Sequence, residues 1–196
     1  MNERTEEMIR SIQPQIGAAL PLLMEKISGY AAEHQRELWD AILEVIRRCA
    51  LKARRLVESG KKGKVCYIVV SLLASSFETG KYDLQIALRD EKYLLDFQEC
   101  AGYFDYRFLH ELFEPALEPA LASLKKSFTR CKEYEVMRVR RAYDHLIGRL
   151  ALQLVRGLLT SGEPAQLLPE IPVFAPSVRL SMGYYRNGQS VTATLA

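Results

Sequence analysis

Between Tyr93 and Phe113 the chain carries a thiol, an imidazole and carboxylates: Cys100, His110, Asp105 and Glu111. A cysteine with a histidine base, the base oriented by a carboxylate, is the chemistry of a covalent nucleophile. Nothing in the spacing of Cys100, His110 and Asp105 forces the contacts that chemistry needs, and a lone histidine on the same helical turn as Phe113 also serves a purely structural role. The same stretch holds Tyr93, Phe97, Tyr103, Phe104, Tyr106, Phe108 and Phe113, seven of the chain's eighteen aromatic side chains. Aromatic walls with a few convergent polar groups are the composition of a ligand pocket. Tyr93, Tyr103, Asp105, Arg107 and His110 are the candidate ligand-binding residues on this reading. Aromatics equally fill the seam where a helix meets a sheet, with Asp105 capping the helix.

A second constellation is cationic. Arg47, Arg48, Lys52, Arg54, Arg55, Lys61, Lys62 and Lys64 form one basic block, and Lys125, Lys126, Arg130, Lys132, Arg138, Arg140, Arg141 and Arg149 form another. If the two helices that carry them lay side by side, Arg54, Arg55, Arg138 and Arg141 would make an anion-binding face for nucleic acid or an acidic partner. Acidic blocks over 1–46 and 65–122 balance them, the isoelectric point is only about 8.6, and no helix-turn-helix, zinc-finger or RNA-binding aromatic signature is present. A solvated charged face accounts for the same residues.

Other chemistries find no support. There is no glycine-rich phosphate loop, no His-Glu-x-x-His and no nucleophile elbow, and no cofactor is indicated. The four cysteines, Cys49, Cys66, Cys100 and Cys131, include no Cys-x-x-Cys pair and no histidine at ligand spacing, so neither zinc nor a disulfide framework is suggested. The longest apolar run, Val65 to Ala74, falls well short of the roughly 20 residues of a membrane helix. The first residues, MNERTEEMIR, are acidic where a secretory signal would be basic, which gives a cytoplasmic expectation.

The elements that must position these residues are legible from periodicity. Lys64 to Leu95 alternates with a period of two. Val65 to Leu73, apolar on both faces, is expected to be a strand covered on both sides; Tyr82 to Leu88 a half-buried antiparallel strand; Lys92 to Leu95 a third short strand. Ser75 to Gly80 is expected to be a loop. Helices flank this meander. One covers residues 3–28, interrupted by Pro14 and Pro21; a second runs from about Ala31 to Ser59 and ends at Gly60; a third begins after Asp105 and breaks at Pro115 and Pro119; the last spans roughly Lys132 to Leu159. After a proline-rich connector over 161–177, Asn187-Gly188 is the preferred two-residue hairpin turn, setting Tyr184 opposite Val191, Met182 opposite Ala193 and Leu180 opposite Leu195.

The fold class is therefore α+β: an antiparallel sheet of three to five strands, built from the meander 64–96 and the hairpin 178–195, packed against long helices. Residues 1–160 are read as one domain, with the hairpin of 178–196 docked on it or on a second copy of the chain. The function expected is a non-enzymatic binding or regulatory module that recognises a protein partner or small ligand through the aromatic corner. A nucleic-acid-associated protein is the alternative, and a Cys/His/Asp enzyme a distant third.

Overall fold

Apolar side chains at Met8, Ile12, Ile16, Leu23 and Ile27 keep to one face of a single helix, α1 (Glu3–Glu33). The break expected at its two prolines does not occur. Pro14 and Pro21 lie on the exposed side, as do Arg10 and Gly17, whose carbonyls they leave without an intrahelical donor. Water can take up those carbonyls, so the prolines are tolerated. The computed structural model describes residues 3–160, 172–185 and 187–195, and they form two compact units.

The first unit is helical: α1, α4 (Arg107–Ser127) and the first half of α5 (Glu133–Thr160), up to Gly148. The break expected at Pro115 and Pro119 is likewise absent, for the same reason: both prolines, and Glu111 one turn before Pro115, face solvent. Met8, Ile12 and Ile16 pack with Leu117, Leu121, Leu124, Val136 and Val139 in its core. Tyr30 of α1 stacks on Phe108 of α4 with centroids 4.8 Å apart. At the start of α5 Glu135 reaches back to the backbone N–H of Lys132 at 2.9 Å, the N3-to-cap half of a capping box, and Arg4 of α1 pairs with the same glutamate at 2.7 Å. Those contacts hold the Glu135 carboxyl below its usual range, the Lys132 N–H contributing most.

The second unit contains α2 (Gln35–Glu58), a five-stranded sheet and the end of α5. The strands are β1 (Val65–Leu72), β2 (Asp83–Arg89), β3 (Ala101–Asp105), β4 (Phe174–Tyr184) and β5 (Asn187–Thr194), in the order β3-β2-β1-β4-β5. The sheet is mixed, not purely antiparallel, because β4 runs parallel to β1. Antiparallel pairing is readable for consecutive strands joined by short connections, whereas β4 enters from far along the chain, where no turn sets its direction.

Several local expectations are corrected. Lys92–Leu95 is no strand: Tyr93–Leu95 is a 3-10 turn with Tyr93 at φ 52°, and the third strand is Ala101–Asp105, which places Asp105 in β3 and not at a helix cap. Ser75–Thr79 falls in a short helix, α3 (Ala74–Thr79), ended by Gly80 at φ 66°. β2 is buried on both faces, Gln85 and Ala87 included. β4 begins at Phe174, inside the expected connector; Pro176 falls where the β1–β4 ladder is interrupted and no donor is needed. Residues 161–171 of that connector lie outside the described residues. Tyr184 pairs with Asn187 and Leu180 with Ala193, so the hairpin turns earlier than the Asn187-Gly188 signal implies. Register irregularities interrupt the β4–β5 ladder at Leu180/Ser181 and Met182/Tyr184, the second at Gly183 with φ 153°.

One face of the sheet is apolar, with Ile68, Val70, Leu72, Leu84, Ile86, Leu88 and Phe104 buried. The helix α2 packs on its β2–β3 part. Contact is close enough there that a Cβ on Gly102 would lie 2.8 Å from Val45 Cγ1, so the position demands glycine. The helix ends in a Schellman arrangement, Lys61 N–H to the Leu56 carbonyl and Gly60 N–H to the Val57 carbonyl, with Gly60 at φ 68°.

Candidate functional site

Because side chains alternate across a strand, the residues opposed in register share the other face: Tyr67 with Arg89, Val69 with Ala87, Ser71 with Gln85, and on β4 Arg179 and Ser181. This face is polar at its centre. Ser71, Gln85 and Ser181 are all nearly inaccessible, at 1%, 4% and 0% exposure. Buried polar residues are the informative departure in a sheet, since a structural core would use apolar ones.

The segment 90–99 crosses this face as a strap, and a buried ion pair pins it. Lys62, from the loop after α2, donates to Asp96 Oδ2, both side chains being almost fully inaccessible. Lys62 Nζ also donates to the Gln98 carbonyl at 3.2 Å. Asp96 accepts the backbone N–H of Asp90 at 3.0 Å and that of Gln98 at 3.0 Å. Asp90 in turn accepts from Gly63 N–H at 3.0 Å and Lys92 N–H at 2.9 Å. Burial alone would raise the Asp96 carboxyl, but Lys62 and the two N–H groups outweigh it and hold the carboxyl below its ordinary range. Arg89 donates to the Asp96 carbonyl. Tyr93, in its left-handed backbone conformation, is held by a 2.6 Å hydrogen bond between its hydroxyl and Ser181 Oγ, and by ring contact with Tyr67 at 4.7 Å. A non-glycine residue at positive φ persists only where its surroundings over-determine it.

Between strap and sheet lies a cleft of about 390 Å³. Its floor includes Val69, Ser71, Gln85 and Ala87; Arg89 and Glu99 bring opposite charges to it, and Leu94, Phe97 and Tyr185 supply apolar wall. Leu94 and Phe97 are 59% and 84% exposed. Gln85 is the distinctive group. Its Nε2 donates to Glu99 Oε1 at 3.4 Å, and its buried Oε1 has no hydrogen-bond partner.

The residues singled out from sequence are dispersed. Tyr93 anchors the strap, and Tyr103 stands opposite Gln85 in the β2–β3 register, 55% exposed, outside the cleft lining. Asp105 closes β3 and is exposed. Arg107 and His110 open α4 in the helical unit. There His110 is buried, its Nδ1 3.5 Å from Asp144 Oδ1. Burial, and then the Arg140 charge, push the His110 pKa down to about 4; burial pushes Asp144 up to about 6. Cys100 is buried in the sheet unit and its thiol is raised by that burial, which disfavours the thiolate a nucleophile needs. Cys49, on α2, is pushed up to about 11 by the same cause.

Of the cationic candidates, Arg54 and Arg55 lie exposed on α2 in the sheet unit, Arg54 paired with Glu58 at 2.8 Å. Arg138 and Arg141 lie exposed on α5 in the helical unit, Arg138 over the Tyr134 ring at 5.2 Å. Arg140 is committed to Glu114 and Glu118. Among the described residues no cluster of three or more His, Cys, Asp or Glu could hold a metal ion, and no helix is long and apolar enough to cross a membrane.

Sequence reading missed Gln85, Ser71, Ser181 and the Lys62–Asp96 pair. A signal existed for two of them: Ser71 is the only interruption of the apolar run 65–74, and Gln85 sits mid-strand, where alternation assigned it to a wet face. No family model matches the chain, and no curated protein and no solved structure matches it.

Proposed function

We propose that the sheet unit is a binding module that takes a small ligand in the cleft between the 90–99 strap and the polar sheet face. The observation that carries this reading is the Gln85 amide. Glu99 fixes its orientation, because a carboxylate only accepts and Nε2 must therefore face it, leaving Oε1 buried and unpaired in a residue of the cleft floor. A buried acceptor left unpaired costs on the order of 1–3 kcal/mol, and a donor brought by a ligand would recover that cost. A volume of about 390 Å³ suits a metabolite-sized molecule, and the exposed Leu94 and Phe97 offer it apolar contact. The aromatic corner expected from sequence is thereby narrowed to its first part, with Tyr93 as an anchor of the wall.

The test is a fragment screen by ¹⁵N and methyl NMR on the full chain, using cationic, anionic, zwitterionic and neutral fragments. Shifts clustered on Val69, Ala87, Leu94 and the Gln85 side-chain amide, lost in Gln85→Met, are the expected result. No fragment perturbing that cluster, from any class, would refute the reading.

A further inference from the structure

Between Arg10 and Glu25 the helix α1 has no charged residue, although Pro14, Gly17, Pro21 and Met24 all face solvent. The solvent side of an amphipathic helix ordinarily carries its charge. Positions 14, 17, 21 and 24 recur every three or four residues and so form one row along the helix. Leu20 and Leu22, 37% and 56% exposed, flank that row. From this pattern we infer that the outward face of α1 is the surface through which two copies of the chain pair. The two α1 helices lie antiparallel, with the two-fold axis passing between Gly17 and Ala18.

Gly17 marks the crossing. A Cβ there would meet no atom within 4 Å, so nothing inside the fold asks for glycine, and alanine would hold an exposed helix better. Open space above a glycine lets a second backbone come close. The charges then say what covers the row. Arg10 stands one turn before Pro14 and Glu25 one turn after Pro21, so the ends are opposite in sign and equally far from the midpoint. Laid antiparallel on itself, the face sets Pro14 against Pro21 of the second copy and Arg10 against its Glu25, at both ends, an isologous contact. Arg10 Nε donates to the Glu6 carbonyl of its own helix at 3.4 Å, which leaves the terminal guanidinium nitrogens for a carboxylate. No ion pair among the described residues engages Arg10 or Glu25. Glu6, Glu7 and Glu25 around the patch disfavour an anionic lipid surface as its occupant.

Sedimentation velocity of the intact chain from about 5 to about 500 µM tests this, since a helix pair of about four turns is a small interface and a micromolar dissociation constant is expected. Arg10→Glu and Glu25→Arg each bring like charges together at both ends, and each should weaken the dimer about tenfold or more. Mixing the two variants sets opposite charges against each other again, so the mixture should dimerise about as tightly as wild type. Gly17→Gln, which fills the crossing, should weaken the dimer while raising the melting temperature of the dilute monomer, a combination that a structural role for Gly17 would not give. A wild type still monomeric at about 500 µM overturns the proposal. If that monomer instead binds phosphatidylcholine vesicles and Leu22→Glu releases it, the face belongs to a lipid surface and the proposal falls. A dimer unmoved by these substitutions, or variants that do not recover on mixing, overturns it as well, because the contact then lies elsewhere or in another register.

Discussion

The buried His110–Asp144 pair of the helical unit makes a prediction that depends on sign as much as on size. His110 is held at about 4, against an ordinary value of 6.5, and Asp144 at about 6, against 3.8. A histidine depressed in the folded state stays neutral there while the unfolded chain takes up its proton, so it withdraws stability as pH falls below about 6.5. A carboxyl raised in the folded state does the opposite, and folding gains as pH falls below about 6. Between pH 6.5 and 4.5, at about 1.36 kcal/mol per pH unit, His110 alone withdraws about 2.7 kcal/mol, and Asp144 alone returns about 2 kcal/mol between pH 6 and 4.5. The pair together binds one proton over most of this window in both states, and its net effect is below about 1 kcal/mol. Asp144→Asn should unmask the histidine: urea unfolding at steps of half a pH unit should show the variant losing about 2 kcal/mol relative to wild type from pH 6.5 to 4.5. His110→Gln should show the opposite slope. The window excludes Asp96, Glu118 and Glu135, whose depressed values act at lower pH. Parallel curves for wild type and Asp144→Asn would refute the account of burial as the cause.

Three further outcomes follow from the sheet unit. Lys62→Met leaves Asp96 buried without its cation and should destabilise by about 3–5 kcal/mol, whereas adding Asp96→Leu should recover much of the loss; thermal melts of the single and double variants check both. Gly102→Ala forces a Cβ against Val45 and should cost about 1–3 kcal/mol, partly restored by Val45→Ala, as a urea double-mutant cycle would read. Asp96, held low, contributes stability that is present above its ordinary value of about 3.9 and disappears as pH falls below it; Asp96→Asn should flatten the acid limb of the unfolding profile below pH 4 in circular dichroism.

How much of this was legible follows from which forces are local. The stripes of α1, α2 and α5 and the apolar run of β1 are periodic features, and periodicity reports burial directly. Gly60 as a helix stop is equally local. The prolines misled because their effect depends on which side of the helix they fall: at Pro14, Pro21, Pro115 and Pro119 that side is wet. The hairpin misled because two irregularities in the β4–β5 ladder shift the register that the Asn187-Gly188 preference would otherwise set. The strap was unreadable for a deeper reason. Its shape comes from Lys62, Asp90 and Asp96 meeting across 34 and 6 residues of chain, and in sequence Lys62 is one more cation in a basic block. Gln85 was hidden by the rule that serves everywhere else, since in an alternating strand a glutamine marks the wet face, and here that face is a buried floor.

The central claim is that the Gln85 amide is kept for something outside the fold. Equilibrium urea unfolding of ligand-free wild type against Gln85→Met, a near-isosteric change that removes the unpaired acceptor, tests it most directly. The account predicts that Gln85→Met is as stable as wild type or more stable by about 1–2 kcal/mol. A loss at least about 1 kcal/mol larger than that of Glu99→Ala, which removes only the hydrogen bond from Nε2, would show that the amide oxygen already serves the fold, and would contradict it.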